Sequence, residues 1–249
     1  MIVLKSSEEI EAMRRAGRVV AEAHQLIKKA LKPGISTAEL NRIVEEHLLS
    51  QGAVPAFKGY HGFPATICAS IDDVVVHGIP DDRTILEEGS IIGVDIGAFV
   101  DGFCGDSAWS YAVGQVDDSV QRLLNATEAA LYKGIEAAVV GNRLGDISHA
   151  IQIHVEAAGF SVVRDFVGHG IGREMHEEMQ IPNFGPPGRG VRLKSGMTMA
   201  LEPMVNMGGY HVEVLPDHWT VKTKDRSLSA HFEHTIAVTD NGPIILTRL

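Results

Sequence analysis

The chain has 249 residues, 45% of them apolar, enough to bury a sizeable core in one domain or two closely joined halves. A net charge of −10 argues against wrapping nucleic-acid backbone, and the two cysteines, Cys68 and Cys104, suit a reducing compartment better than a disulfide framework. The N-terminus turns polar after four residues and no run approaches the length of a membrane span, so a soluble, cytoplasmic protein is expected.

Taken in order, the chain opens with a helix expected over about 7–31. Ser6 and Glu9 form its capping box, Ile10, Met13, Val20 and Ile27 share one face, and Lys32-Pro-Gly34 ends it. A second capping pattern, Ser36-Thr-Ala-Glu39, starts a helix carrying Leu40, Ile43, Val44 and Leu48. Further on, the apolar run 90–94 ends at Asp95, and Asp101-Gly102 is a strong two-residue hairpin signal. If those two residues make the turn, Asp106 pairs with Gly97. Asp95 and Asp106 then become diagonal neighbours on one face, where Gly97 would leave space for ions. Asp117 or Asp118 starts a long helix through Val120, Leu124, Leu131 and Ile135, with Gly141-Asn142 as its breaker. A shorter helix begins near Asp146 with Ile147, Ile151 and Val155, and the Pro- and Gly-rich stretch 182–190 reads as an irregular loop.

The plan repeats. Each half carries a His-Gly-Ile string, at His77 and at His169; Asp95 lies six residues after Gly89, and Glu202 six after Gly196. The expectation is a single catalytic domain of two helix-plus-sheet halves, about 1–115 and 116–249, related by a pseudo-twofold axis with a site at the seam.

Five residues have metal-ligand chemistry and sit in segments built to hold them still: Asp95, Asp106, His169, Glu202 and Glu233. Carboxylates at the ends of apolar strands are costly to bury without cations. Four carboxylates and one imidazole match two divalent ions of moderate hardness better than one zinc. Glu202 precedes Pro203, which favours an extended backbone at a cavity wall, and His234 should face away from Glu233 in a structural role.

The ordered strings Tyr60-His-Gly-Phe-Pro64, Val76-His-Gly-Ile-Pro80, Val94-Asp-Ile-Gly97, Gly105-Asp106, Gly168-His-Gly-Ile-Gly172, His176-Glu-Glu178, Leu201-Glu-Pro203 and Glu233-His-Thr235 resemble the methionine aminopeptidases. The thirty residues between Glu202 and Glu233 leave no room for the long insert of type II members, so the resemblance is to type I, in its short bacterial form. It implies an α+β pita-bread fold. It also implies metal-dependent removal of N-terminal methionine from nascent proteins and peptides when the second residue is small. By resemblance Asp95 chelates one divalent ion, His169 and Glu202 chelate the other, and Asp106 and Glu233 bridge both. Ions about 3–4 Å apart can share a hydroxide that attacks the first peptide bond. Cobalt, manganese or iron are the implied metals, with zinc or nickel also compatible.

The resemblance further implies that His77 and His176 hold the scissile amide and stabilise its tetrahedral intermediate, with Glu202 also catalytic. The methionine pocket would use Phe57, Tyr60, Phe63, Cys68, His77, Met175 and Trp219, with His61 in the same substrate-facing segment. Asp72, Val74 and Ser229 match positions that supply oxygens to a monovalent cation. The implied partners are nascent polypeptide N-termini and a transient ribosome contact, with no membrane, no nucleic acid and a monomeric state. A His-Glu-x-x-His zinc site is excluded by Gln180. A proline-specific peptidase of the same fold and a metal-free peptide-binding relative are the alternatives.

Overall fold

Helix formation in the computed structural model, which describes residues 2–249, follows the caps written in the sequence. α1 (Ser7–Ala30) begins at a complete capping box, with the Glu9 N–H donating to Ser6 Oγ and the Ser6 N–H to Glu9 Oε2 at 3.0 Å. Two of the donors that every helix start leaves free are thereby satisfied. Met13, Val20 and Ile27 are buried along its inner face. α2 (Thr37–Ser50) is capped by Ser36 Oγ, which accepts from the Glu39 N–H at 3.1 Å.

β1 (Val54–Pro55), β2 (Ile67–Ile71), β3 (Val74–Val76), β4 (Ile91–Val100) and β5 (Phe103–Ala112) follow. The β4–β5 hairpin has the expected turn, with Asp101 and Gly102 both at positive φ (51° and 76°), and its register pairs Gly97 with Asp106. β4 runs on beyond Asp95, so that carboxylate sits within the strand and not at its end. β2 and β1 occupy the other edge of β4, and Cys68 of β2 is opposite Asp95. α1 lies directly on β5 because Gly105 has no side chain: a Cβ there would fall 2.6 Å from the Gly17 nitrogen.

α3 (Asp118–Ala137) has Asp117 at its N-cap without a side-chain bond, and α4 (Leu144–Ala157) has Asp146 Oδ2 accepting from the Arg143 N–H at 2.7 Å. α3 stops before the Gly141-Asn142 pair expected to break it. The Asn142 side-chain amide reaches back to the Ala137 carbonyl at 2.9 Å, so this pair closes a helix already ended. The remaining strands are β6 (Ser161–Val162), β7 (Gly168–Gly170), β8 (Glu177–Ile181), β9 (Thr198–Leu201), β10 (Met204–Asn206), β11 (Val212–Val214), β12 (Val221–Thr223), β13 (Ser229–His231), β14 (His234–Thr239) and β15 (Gly242–Ile245). They form a five-stranded antiparallel sheet, β15-β14-β9-β7-β8, and two three-stranded ones, β13-β10-β6 and β11-β12-β3. The last of these draws β3 from the first half of the sequence.

Each half has its own core. One packs Val20, Ile27, Leu40 and Leu48 of α1 and α2 against Ile67, Ile92 and Ile96. The other packs Leu123, Leu131, Ile147 and Ile151 of α3 and α4 against Met199, Leu201 and Ile236. The two meet where β5 runs beside residues 231–235. Ser107 Oγ donates to the Glu233 carbonyl at 2.7 Å, the Glu233 N–H donates to the Ala108 carbonyl at 2.7 Å, and Ser110 Oγ donates to the His231 carbonyl at 2.9 Å.

Candidate metal centre

The seam decides where the charged side chains point. Asp95 and Asp106 leave one face of the β4–β5 hairpin, as its register requires. His169 lies in β7 opposite Ala200 of β9, Glu202 directly follows β9, and Glu233 directly precedes β14, which also pairs with β9. The Asp106 N–H donates to Thr235 Oγ1 at 3.0 Å, and that hydroxyl donates back to the Asp106 carbonyl at 2.8 Å. Asp106 and Glu233 are therefore fixed to each other across the two halves.

One oxygen of Asp106, one ring nitrogen of His169 and one oxygen of Glu233 lie within 4.8 Å of one another, and all three residues are buried. His169 Nδ1 is 3.0 Å from the Gly170 carbonyl, so Nδ1 carries the proton and the Nε2 lone pair faces the carboxylates. Nε2 is 3.6 Å from Glu202 Oε1 and 3.9 Å from Asp106 Oδ2. Asp95 Oδ1, Asp106 Oδ1 and Glu233 Oε1 are buried without a hydrogen-bond partner. Among the described residues no lysine or arginine forms an ion pair with any of the four acids; histidines are their only basic neighbours. Burial, and then mutual repulsion, holds Asp95, Glu202 and Glu233 well above the usual carboxylate range, and burial lifts Asp106 to about 7. His169 is pushed down to about 4, by burial first and His176 second. Orphaned oxygens, an inward imidazole lone pair and, among the described residues, no lysine or arginine paired with the acids suit a divalent cation.

A cavity of about 170 Å³ opens onto this cluster, lined by all five residues together with Phe57, Tyr60, Phe63, Cys68, His77, Met175, His176 and Trp219. Every residue expected at the metals and in the methionine pocket is on that wall. Gly97 plays a different part from the one expected. A Cβ there would meet the Phe57 ring at 2.6 Å, so its missing side chain admits an aromatic wall and not ions. His61 is not among the lining residues. Its side chain is exposed and its ring packs edge-on against Tyr60 at 4.3 Å. His77 has a left-handed backbone (φ 59°) and sets its ring edge-on to Phe166 and Trp219.

His176 is presented by the loop after β7, its ring 4.2 Å from that of His169 and its Nδ1 2.9 Å from the Tyr60 hydroxyl. The loop is tied to the N-terminal arm by Lys5, whose buried Nζ reaches Glu177 Oε2 at 2.7 Å, while the Arg173 N–H donates to the other oxygen. No periodicity or motif points to Lys5. His231 was also missed: it is buried, with Nε2 3.6 Å from Glu202 Oε2. Strand alternation back from Glu233 would have placed it on the ligand face. His234 faces the other way, as expected, with Nδ1 2.8 Å from Thr247 Oγ1 and its ring against Trp109. Asp72, Val74 and Ser229 lie apart from the cavity. The Ser229 N–H donates to the Asp72 carbonyl at 2.9 Å, and the Asp72 carboxylate accepts from the Ile91 N–H and Ser90 Oγ.

The raised carboxyls give a signed prediction for chelated protein. A folded carboxyl held above its unfolded value near 4 stabilises below that value, and this is lost as pH rises through the folded one. Buried histidines act oppositely: those lowered to about 4 (His24, His77, His169) or about 3 (His231, His234) add stability that is complete above about pH 6.5. Between about pH 6.5 and 8 the acids therefore dominate. The melting temperature of chelated protein should fall across that window, and saturating manganese should flatten or reverse the slope. A flat or rising profile without metal would contradict the assignment.

The family model described as metallopeptidase family M24 matches residues 11–240. The methionine aminopeptidase 1 of Bacillus subtilis is 54% identical over 249 residues, spanning 100% of both chains. The crystal structure of methionine aminopeptidase from Thermotoga maritima superposes with a TM-score of 0.98 at 46% identity over 100% of each chain. That from Rickettsia prowazekii does so with a TM-score of 0.98 at 44% identity, covering 99% of this chain and 100% of its own. The architecture is the pita-bread fold expected from the sequence, two related helix-on-sheet halves closed around a shared site. The match runs through every strand that carries the buried acids, and the chain belongs to metallopeptidase family M24.

Proposed function

We propose that this metallopeptidase releases the N-terminal methionine of nascent proteins and peptides whose second residue is small. It would act as a monomer and a single catalytic domain, in the cytoplasm, with transient contact at the ribosome. Two buried unpaired cysteines, and the absence among the described residues of any helix long and apolar enough to cross a membrane, agree with that setting. One observation carries the reading: the cation-compatible cluster opens directly into a cavity of about 170 Å³ walled by Phe57, Phe63, Cys68, Met175 and Trp219. An aromatic and sulfur-lined pocket of that size accommodates one flexible thioether side chain. The names of the relatives, matched end to end, point to the same substrate.

In this reading Asp95, Asp106, His169, Glu202 and Glu233 would together hold two divalent ions. Cobalt, manganese or iron suit the set, as do zinc or nickel. When bound, such ions supply Lewis acidity and a nucleophile at neutral pH. The side chains do the rest. The Tyr60 hydroxyl lies 2.9 Å from His176 Nδ1; with Tyr60 as the donor the ring proton sits on Nε2, which then donates to the carbonyl oxygen of the first peptide bond as charge develops there. Burial holds His77 near 4, so it meets the substrate as a neutral imidazole and fixes the amide by hydrogen bonding. Glu202 carries the proton from the nucleophile to the leaving amine.

A Met-Ala-Ser peptide should be cleaved at least about tenfold faster than Met-Leu-Ser, with chelator abolishing both activities and manganese, iron or cobalt restoring them. Equal rates, or full activity after chelation, would sink the reading.

The two pocket histidines separate chemistry from metal binding. His176→Ala should lower kcat by roughly 10²–10³-fold with metal content unchanged, because it removes a donor to the oxyanion. His169→Ala should reduce both rate and metal occupancy. Elemental analysis and single-turnover rates in one buffer decide; the reverse pattern means the roles are exchanged.

A further inference from the structure

Glu202 is flanked by two imidazoles. Its Oε1 is 3.6 Å from His169 Nε2, and its Oε2 is 3.6 Å from His231 Nε2. His231 ends β13 and is only 4% exposed. Its Nε2 is buried without a hydrogen-bond partner, an arrangement proteins rarely leave standing. A purely structural histidine would satisfy that nitrogen elsewhere, yet the acidic group facing it is the Glu202 carboxyl.

The backbone around His231 cannot withdraw the ring. Its N–H donates to Ser110 Oγ at 2.9 Å and its carbonyl accepts from the same hydroxyl at 2.9 Å, while Met204 sits opposite it across the β10–β13 pair. Ser110 belongs to β5, the strand that carries Asp106. The Glu202 main chain is equally fixed, with its carbonyl accepting from Asn183 Nδ2 at 3.0 Å and Pro203 following. What stays free to turn is the Glu202 side chain itself. A rotation that closes the 3.6 Å gap pairs Glu202 Oε2 with His231 Nε2, which donates to it in the tautomer that carries its proton there.

We infer that His231 is a positioning residue for Glu202: its ring takes Oε2 and leaves Oε1 turned toward the divalent cation beside His169. Outer partners of this kind fix a carboxylate ligand in one orientation, and their loss weakens metal affinity by roughly 10–100-fold. The inference rests on the metallopeptidase reading above and adds a residue that reading does not use.

The test is cation binding, measured on the full chain after chelation. Manganese is titrated by calorimetry and cobalt by its visible absorption, for wild type, His231→Leu, His231→Gln and His231→Asn, with thermal melting as the folding control. His231→Leu should bind one equivalent roughly 10–100-fold more weakly and show an altered cobalt spectrum. His231→Gln, which keeps an N–H donor of similar reach, should stay close to wild type. His231→Asn is polar but too short to reach Glu202, and it should lose affinity as the leucine variant does. If leucine prevents folding, the contrast between Asn and Gln gives the answer. Wild-type affinity and spectrum in the leucine or asparagine variant would overturn the inference. Failure of wild type itself to bind either ion would overturn the metallopeptidase reading instead.

Discussion

Four carboxyl groups, Asp106 and Glu233 buried and Asp95 and Glu202 nearly so, share one seam where no lysine or arginine among the described residues pairs with them, and the rest of the molecule is arranged around that fact. Water would hold these charges cheaply; a protein interior does not. Left alone, the acids relieve the cost by keeping their protons, which is the direction in which burial pushes all four. The other relief is a divalent cation, which restores the charges and uses their otherwise unpartnered oxygens. The same arrangement that disfavours the ionised acids in the metal-free protein is the one that suits a metal ion.

Neither half of the chain could build this site alone. β4 and β5 bring Asp95 and Asp106; the strands around β9 bring His169, Glu202 and Glu233. What aligns them is a short ladder of hydroxyl and backbone hydrogen bonds, from Ser107, Ser110 and Thr235, between β5 and residues 231–235. The hairpin itself is held from behind, where Gly105 of β5 lets α1 approach at backbone contact. The cavity wall is held from the side, since the part-buried Lys5–Glu177 pair fixes the loop that carries Met175 and His176. A local break in any of these ties would move a ligand or a wall relative to the others.

Much of this was legible in the sequence wherever local chemistry decides the structure. The Ser6–Glu9 box, the Ser36 cap and the Asp101-Gly102 turn are properties of a few adjacent residues, and the hairpin register followed from the turn alone. The ordered glycine-, histidine- and acid-containing strings carried a family resemblance, and that resemblance, not the strings themselves, implied the residues that line the cavity. What escaped depends on partners distant in sequence. Phe57 fills the space beside Gly97 from a segment forty residues away, Lys5 reaches Glu177, and β3 joins β12 across the two halves. No local pattern encodes those meetings. His231 is the exception: alternation from Glu233 pointed to it, but an isolated histidine two residues from a stronger candidate reads as core until its orphaned nitrogen is seen beside Glu202.

If the buried acids oppose folding until cations bind them, Asp106 should show it most directly, because it touches both halves. The measurement is urea denaturation of wild type and Asp106→Asn at about pH 8, each with and without manganese, where the carboxyl would otherwise have to ionise. Without metal the variant should be at least as stable as wild type, and with manganese wild type alone should gain stability. A metal-free variant weaker than wild type, or one that manganese stabilises equally, would contradict the account.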